Sequence, residues 1–129
     1  AFARRGLIAE YGIAWMLPRL IGAAQALDLM LSSRMIPASE ALQMRLVNAI
    51  FPAATRMPQV RAYALELADK VSPRSMGIVK RQVYNAMFQS LDESLDAAQK
   101  EMLLSLQCED FKEGVAHFLE KRDPVFTGR

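Results

Sequence analysis

The chain has 129 residues, of which 52% are hydrophobic and 23% charged, and its formal net charge is +2. This composition provides one domain's worth of chain with apolar material for a core, and it excludes the disordered class, which combines low hydrophobicity with high net charge. The basic residues are scattered along the chain and nearly balanced by acidic ones, so we do not expect a nucleic-acid partner.

Three further features of the sequence indicate what kind of protein this is. The single cysteine, Cys108, excludes an intramolecular disulfide and a cysteine-rich zinc site, and it suits a reducing compartment, for which we expect the cytoplasm. The longest apolar region, 7–31, is interrupted by charged residues, glycines and a proline, so we expect no membrane span. Ala1 is not an initiator methionine, and we expect the sequence to be a piece of a longer chain.

The first part of the chain predicts short helices and little else. Apolar spacing places them at about 15–20, 23–32 and 38–44. Residues 47–51 are β-prone and stop at Pro52, so we predict a short strand there. The opening residues 2–5 resemble a second half-strand without a visible pairing partner.

The second part predicts longer helices with recognisable starts. An apolar stripe gives a helix over about 57–70. Ser72 then reads as an N-cap with Pro73 at the first helical position, opening a helix to about residue 88.

Two further helices follow, each with a predicted cap. Ser90 and Glu93 have the spacing of a capping box, in which each side chain binds the other residue's backbone N–H. Asp110 and Glu113 repeat this spacing and predict the start of a last helix that ends near residue 121.

The sequence contains few residues that indicate a catalytic function. The sequence has no motif for a metal, a nucleophilic serine or a phosphate loop, so we expect no metal. We interpret His117 and Cys108 as structural residues, although a thiol before a helix start can have a lowered pKa.

Glu10 is the acidic residue that stands out, because it lies within an otherwise apolar passage at 7–15. Burial would move a carboxyl pKa toward the range useful for proton transfer near neutral pH. The alternative is a structural ion pair with Arg4, Arg5 or Arg19, and the residues leave both interpretations open.

Eight short segments form a pattern by their order and spacing. They are GLIAE at 6–10, WMLPRLIG at 15–22, ALDLMLS at 26–32, ASEAL at 38–42, LVN at 46–48, SP at 72–73, DFKEGV at 110–115 and FLEKRDPVF at 118–126. The pattern resembles the C-terminal half of the crotonase superfamily, the enoyl-CoA hydratases and isomerases. It covers essentially the whole chain.

The resemblance implies a mainly α chain, the C-terminal helical half of a crotonase-like α/β fold built on a ββα spiral, with one or two short strands. Residues 1–52 would form the end of the spiral core domain, with short strands and helices around the active-site acid. Residues 53–129 would form a helical region for oligomerisation into a homotrimer or hexamer. The missing N-terminal half would supply both N–H groups of the oxyanion hole.

The same resemblance implies an acyl-CoA thioester as substrate and no separate cofactor, because coenzyme A is part of the substrate. Glu10 stands in the slot where isomerase-like members carry their acid, whereas the slot of the hydratases' second glutamate is Arg5 here. Tyr11 departs from a glycine pair that usually follows this acid, and Tyr11 and Trp15 would border the acyl chain.

Two residues near the C-terminus correspond to positions that contact the nucleotide part of CoA bound to a neighbouring subunit. These are Phe118 and Lys121, whose spacing places them on one helix face. A core phenylalanine and a solvated lysine are the structural alternative. Arg45 occupies a position where the family usually has glycine, and a left-handed arginine there would cost about 1 kcal/mol.

Two functions therefore remain open from the sequence. The first is a segment of an enoyl-CoA hydratase or isomerase that needs its other half and would be inactive alone. The alternative is a non-catalytic, crotonase-like helical module that oligomerises or binds a partner through its amphipathic faces.

Overall fold

The computed structural model describes residues 2–129, which are mainly helical as predicted. The first compact unit ends at Arg56, and the second covers Met57–Arg129. A short 3-10 helix, Ala3–Arg5, precedes α1 (Ile13–Ile21), α2 (Ala23–Ser32), α3 (Ala38–Gln43), α4 (Arg56–Lys70), α5 (Pro73–Ala86), α6 (Leu91–Ser105) and α7 (Glu109–Glu120).

Both predicted strands are wrong, since residues 2–129 contain no strand. Residues 47–51 form bends and irregular chain. At the N-terminus the carbonyl of Phe2 accepts hydrogen bonds from the N–H groups of Arg5 and Leu7, which closes the backbone on itself. A β-prone run needs a partner strand to stay extended, and the described residues provide none.

The first unit is organised around the α1 and α2 pair. Gly22, with φ of 81°, separates the two helices. Leu17, Ile21 and Ala26 are buried between them, and half-buried side chains such as Leu29 pack against this cluster. The apolar sides of α1 and α2 therefore pack against each other.

Arg34 fastens α3 to α2. Its guanidinium contacts Asp28 of α2 at 2.9 Å and donates to both carboxylate oxygens of Glu40 in α3. The hydrogen bonds from Arg34 lower the pKa of Glu40 below its ordinary value. This charge pair connects two helices across the intervening loop.

The helix α3 ends in a Schellman motif. Arg45 N–H donates to Leu42 O at 3.0 Å, and Leu46 N–H donates to Ala41 O at 2.9 Å. Arg45 has φ of 62°, the left-handed conformation for which glycine is usual. The left-handed backbone at position 45 therefore explains why glycine is expected there.

In the second unit the caps at Ser72 and Ser90 are confirmed. Ser72 Oγ accepts from Ser75 N–H at 3.1 Å, and Ser90 and Glu93 form the complete capping box. Glu101 of α6 pairs with Arg81 of α5, which helps hold these helices together.

The predicted cap at Asp110 is wrong. Cys108 is the N-cap of α7, and its Sγ accepts from the backbone N–H of Phe111 at 3.3 Å. Asp110 lies inside the first turn and is buried. Its carboxylate is used for long-range contacts instead.

Candidate active site

Glu10 begins a tight turn immediately before α1. Its carbonyl accepts the N–H of Ile13 at 3.1 Å, and the two central residues, Tyr11 and Gly12, have φ of 54° and 75°. Two successive positive φ values across such a hydrogen bond are typical of a type I′ turn. Gly12 O then accepts two N–H groups of the first turn of α1. The acid therefore lies at a hydrogen-bonded junction between loop and helix.

Tyr11 is strained in this turn. A left-handed conformation costs a non-glycine residue about 1 kcal/mol, and the Tyr11 side chain is 95% exposed. Burial of the ring therefore does not offset the strain within the described residues. The backbone also explains why two glycines suit these two positions.

Two of the arginines considered as partners of Glu10 are engaged elsewhere. Arg4 Nε donates to Ser32 O at 2.9 Å. Arg19 donates to Trp15 O at 2.8 Å, and its guanidinium carbon lies 3.9 Å from the centroid of the Trp15 ring. Half-buried Glu10 forms no ion pair with Arg4, Arg5 or Arg19 in the part of the chain that the structure describes.

An apolar cleft of about 190 Å³ adjoins this turn. Ala9 and Ile13, which flank the turn, line it together with side chains of α1, α2 and the N-terminal residues. Glu10, Tyr11 and Trp15 do not line the cleft, although all three lie on the segment that enters α1. Glu10 therefore lies on the same short segment of chain as two residues that line the apolar cleft.

Phe118 and Lys121 lie together at the end of α7. They line one surface groove of about 490 Å³ with His117, Leu119 and Arg122. Phe118 is 77% exposed, so it is not a core residue within the described chain. Lys121 is the left-handed C-cap of α7, with φ of 53°, and its N–H donates to His117 O.

The residues after α7 form a segment that we call the strap, 123–129. Its backbone N–H groups at Thr127 and Gly128 donate to Asp110 Oδ1 at 2.8 and 3.0 Å, and Asp110 N–H donates to Arg129 O at 2.8 Å. Burial raises the pKa of Asp110, but the hydrogen bonds from Ser72 and the strap outweigh it and leave the pKa below its ordinary value.

A second acidic residue holds the start of the strap. Glu113 receives a two-pronged contact from Arg122 and accepts Val125 N–H at 2.7 Å. These interactions lower the pKa of Glu113 to about 2, with the Arg122 hydrogen bonds as the main cause. The sequence pattern indicates neither role, although both carboxylates belong to the DFKEGV segment at 110–115.

Within residues 2–129, no group of three or more histidine, cysteine, aspartate or glutamate side chains could hold a metal ion. The helices of the same residues are too short or too polar to span a bilayer.

The helical architecture matches solved structures. An enoyl-CoA hydratase from Bacillus anthracis superposes with a TM-score of 0.92 at 27% sequence identity, over 98% of this chain and 49% of that one. Together with the helix order, this likeness defines the class as the helical half of a crotonase fold.

The chain belongs to the enoyl-CoA hydratase/isomerase family, whose model matches residues 1–129. It is 32% identical over 129 residues to a 1,2-epoxyphenylacetyl-CoA isomerase of Escherichia coli K12, covering all of this chain and 49% of that protein. It is 36% identical to a probable enoyl-CoA hydratase of Rhodobacter capsulatus, covering 50% of that protein. The chain thus spans about half the length of these relatives, and the family does not favour a non-catalytic module.

Proposed function

We propose that this chain is the C-terminal half of an acyl-CoA-processing enzyme of the hydratase or isomerase type. The observation that carries the proposal is Glu10, held on a strained turn beside an apolar cleft. Backbone strain is concentrated at functional sites, where the surrounding structure maintains it. The naming of the relatives as CoA-ester enzymes supports the same substrate class.

In this proposal Glu10 is the general acid and base of a thioester-enolate reaction. For isomerisation, the carboxylate removes a proton from the carbon next to the thioester, and the electron pair moves onto the thioester oxygen. The electron pair then returns from the oxygen, the carboxylic acid gives the proton to the γ-carbon, and the double bond moves from the β,γ to the α,β position. For hydration, the carboxylate removes a proton from water as the water oxygen adds to the β-carbon, and the resulting β-hydroxy enolate takes a proton at the α-carbon from the carboxylic acid.

The remaining half of the enzyme would provide the oxyanion hole. Each such N–H donor typically contributes about 10² to 10³ in kcat, because the charge on the thioester oxygen develops in the transition state. Tyr11 and Trp15 would border the acyl chain from the same segment as Glu10. No separate cofactor is needed, since the activating thioester is part of the substrate.

The second unit would bind the nucleotide end of CoA and contact other subunits of a homotrimer or hexamer. Phe118 and Lys121 share one groove, which supports an aromatic ring near the adenine and an ammonium near a phosphate. We place the enzyme in the cytoplasm, where Cys108 would stay reduced.

The test is turnover by the complete enzyme in deuterated, oxygen-18-enriched water. Hydration of an enoyl-CoA incorporates one solvent oxygen, whereas double-bond migration incorporates none and is detected by the position of the double bond. The 129-residue chain alone should show neither reaction. An inactive complete enzyme, or full turnover by the 129-residue chain, would contradict the proposal.

A further inference from the structure

The chain reverses direction directly after α7, at Lys121. Lys121 N–H donates to His117 O, and Arg122 N–H donates to the same carbonyl at 3.2 Å. Lys121 has a left-handed backbone, a position that usually carries glycine. A left-handed lysine is strained relative to glycine, so other contacts must hold the reversal.

Arg122 provides those contacts. Its two terminal nitrogens bind the two carboxylate oxygens of Glu113, with Nη2 at 2.8 Å from Oε2, and its Nε donates to Glu120. The carbonyl of Arg122 lies 3.2 Å from His117 Nδ1. The residue next to Lys121 is thus fixed through both its side chain and its backbone.

Glu113 is the centre of this arrangement. It lies more than two helical turns before Lys121, and it also accepts Val125 N–H at 2.7 Å, on the far side of the reversal. The low pKa of Glu113, about 2, keeps the carboxylate ionised at neutral pH. One side chain therefore fixes the chain after the strained lysine at two points.

We propose that Glu113 is a positioning residue for binding of the nucleotide part of CoA, acting through Arg122 and the backbone reversal at Lys121. This inference rests on the CoA-binding role proposed above for Phe118 and Lys121. A preformed reversal lowers the entropy cost of ordering Lys121 when the ligand binds. Loss of Glu113 should weaken binding of the nucleotide part without changing the chemical step.

The experiment compares four variants of the complete enzyme: Glu113→Gln, Lys121→Ala, the double variant, and the control Glu109→Gln. Glu109 lies on the same helix and pairs with Lys112 at 2.8 Å, away from the reversal. Each variant is assayed with an enoyl-CoA and with the corresponding pantetheine thioester, which has the same acyl group and lacks the nucleotide.

Glu113→Gln should raise KM for the CoA ester by roughly three- to ten-fold, in the lower part of the range of coupling between contacting residues, and leave kcat unchanged. KM for the pantetheine ester should not change, and neither should any parameter of Glu109→Gln. In the Lys121→Ala background, Glu113→Gln should have no further effect on KM, because the residue whose position it controls is gone.

Two results would overturn the inference while leaving the proposed function intact. One is an equal rise in KM for both esters, and the other is an undiminished effect of Glu113→Gln in the Lys121→Ala background. If Lys121→Ala itself leaves KM for the CoA ester unchanged, the CoA-binding role of Lys121 fails and the positioning role with it.

Arg122→Lys provides a second variant should Glu113→Gln fold poorly. Lysine keeps the positive charge but cannot form the two-pronged contact with a carboxylate. The same selective rise in KM is expected, and its absence in a folded Arg122→Lys enzyme would contradict the inference.

Discussion

Ser72 donates its hydroxyl hydrogen to the carboxylate of Asp110, 38 residues further along the chain. The same Ser72 oxygen caps α5 by accepting Ser75 N–H. Asp110 in turn accepts backbone N–H groups of Thr127 and Gly128 in the strap. One buried carboxylate therefore connects the start of α5, the first turn of α7 and the C-terminal residues.

The first prediction concerns this connection. Asp110→Asn keeps the size of the side chain but removes the charge and places an amide where backbone N–H donors converge. We expect the free energy of unfolding to fall by about 2 kcal/mol, the range for a hydrogen bond to a charged group. Urea unfolding followed by circular dichroism measures it, and the exposed control Glu109→Gln should change little. Equal stabilities of the two variants would contradict the role of Asp110.

The second prediction concerns how the free energy of unfolding depends on pH through Glu113, which holds the strap. The pKa of Glu113 is lowered in the folded chain from 4.5 to about 2. A carboxyl with a lowered folded pKa contributes stability that is complete above the unfolded pKa and is lost as the pH falls through the folded pKa. The stability difference between the unsubstituted chain and Glu113→Gln should thus narrow below about pH 4.5 and approach zero near pH 2. Urea unfolding across this range tests it, and a difference that is constant with pH would refute it.

Local signals explain which elements could be predicted from the sequence. The caps at Ser72 and Ser90 depend on partners three residues away, and a short spacing in the sequence is enough to identify them. Asp110 has the same spacing to Glu113, but Cys108 caps α7 instead, and the partners of the Asp110 carboxylate are 17 to 38 residues distant. The spacing alone cannot reveal such partners.

The residues of the candidate site also differ in whether their signal is local. Glu10 stands out in the sequence because it is a carboxylate in an apolar passage, which is a property of neighbouring residues. The role of Glu113 at the reversal depends on Arg122 across nine residues of helix and turn, and the sequence pattern indicated only a cap. The predicted strand at 47–51 failed because strand formation depends on a partner strand that the pattern cannot supply.

The third prediction uses the left-handed residue at the end of α3. Arg45→Gly should raise the stability of the first unit by about 1 kcal/mol, because glycine adopts φ near 62° without strain. Arg45→Ala is the matched control, since it removes the guanidinium but keeps the strained backbone. In thermal unfolding, the melting temperature should rise for Arg45→Gly and not for Arg45→Ala. A similar gain for alanine would assign the effect to the side chain instead.

The fourth prediction concerns the exposed apolar side chains of the 129-residue chain. Ile8, Leu31, Phe88 and Leu91 are each more than 70% exposed, and such surface promotes association. We expect the chain to self-associate increasingly with concentration, as measured by sedimentation velocity. A single monomeric species at high concentration would contradict this prediction.

The last prediction tests Glu10 against a matched acid of the same unit. Glu10→Gln keeps the shape and the hydrogen-bonding capacity of the side chain but cannot exchange a proton. In the complete enzyme it should lower kcat by roughly 10² to 10⁴, the usual contribution of a general acid or base. Its melting temperature should change little, because the turn is held by the Glu10 carbonyl and not by the carboxylate.

Glu40→Gln should give the opposite result. Glu40 forms the charge pair with Arg34 that joins α2 and α3, so its neutralisation should lower the melting temperature and leave kcat of the folded enzyme unchanged. Measuring kcat and melting temperature on both variants separates chemistry from structure, because each acid is expected to affect only one quantity. A Glu10→Gln enzyme with near-normal kcat and a lowered melting temperature would assign Glu10 a structural role and remove it from the reaction.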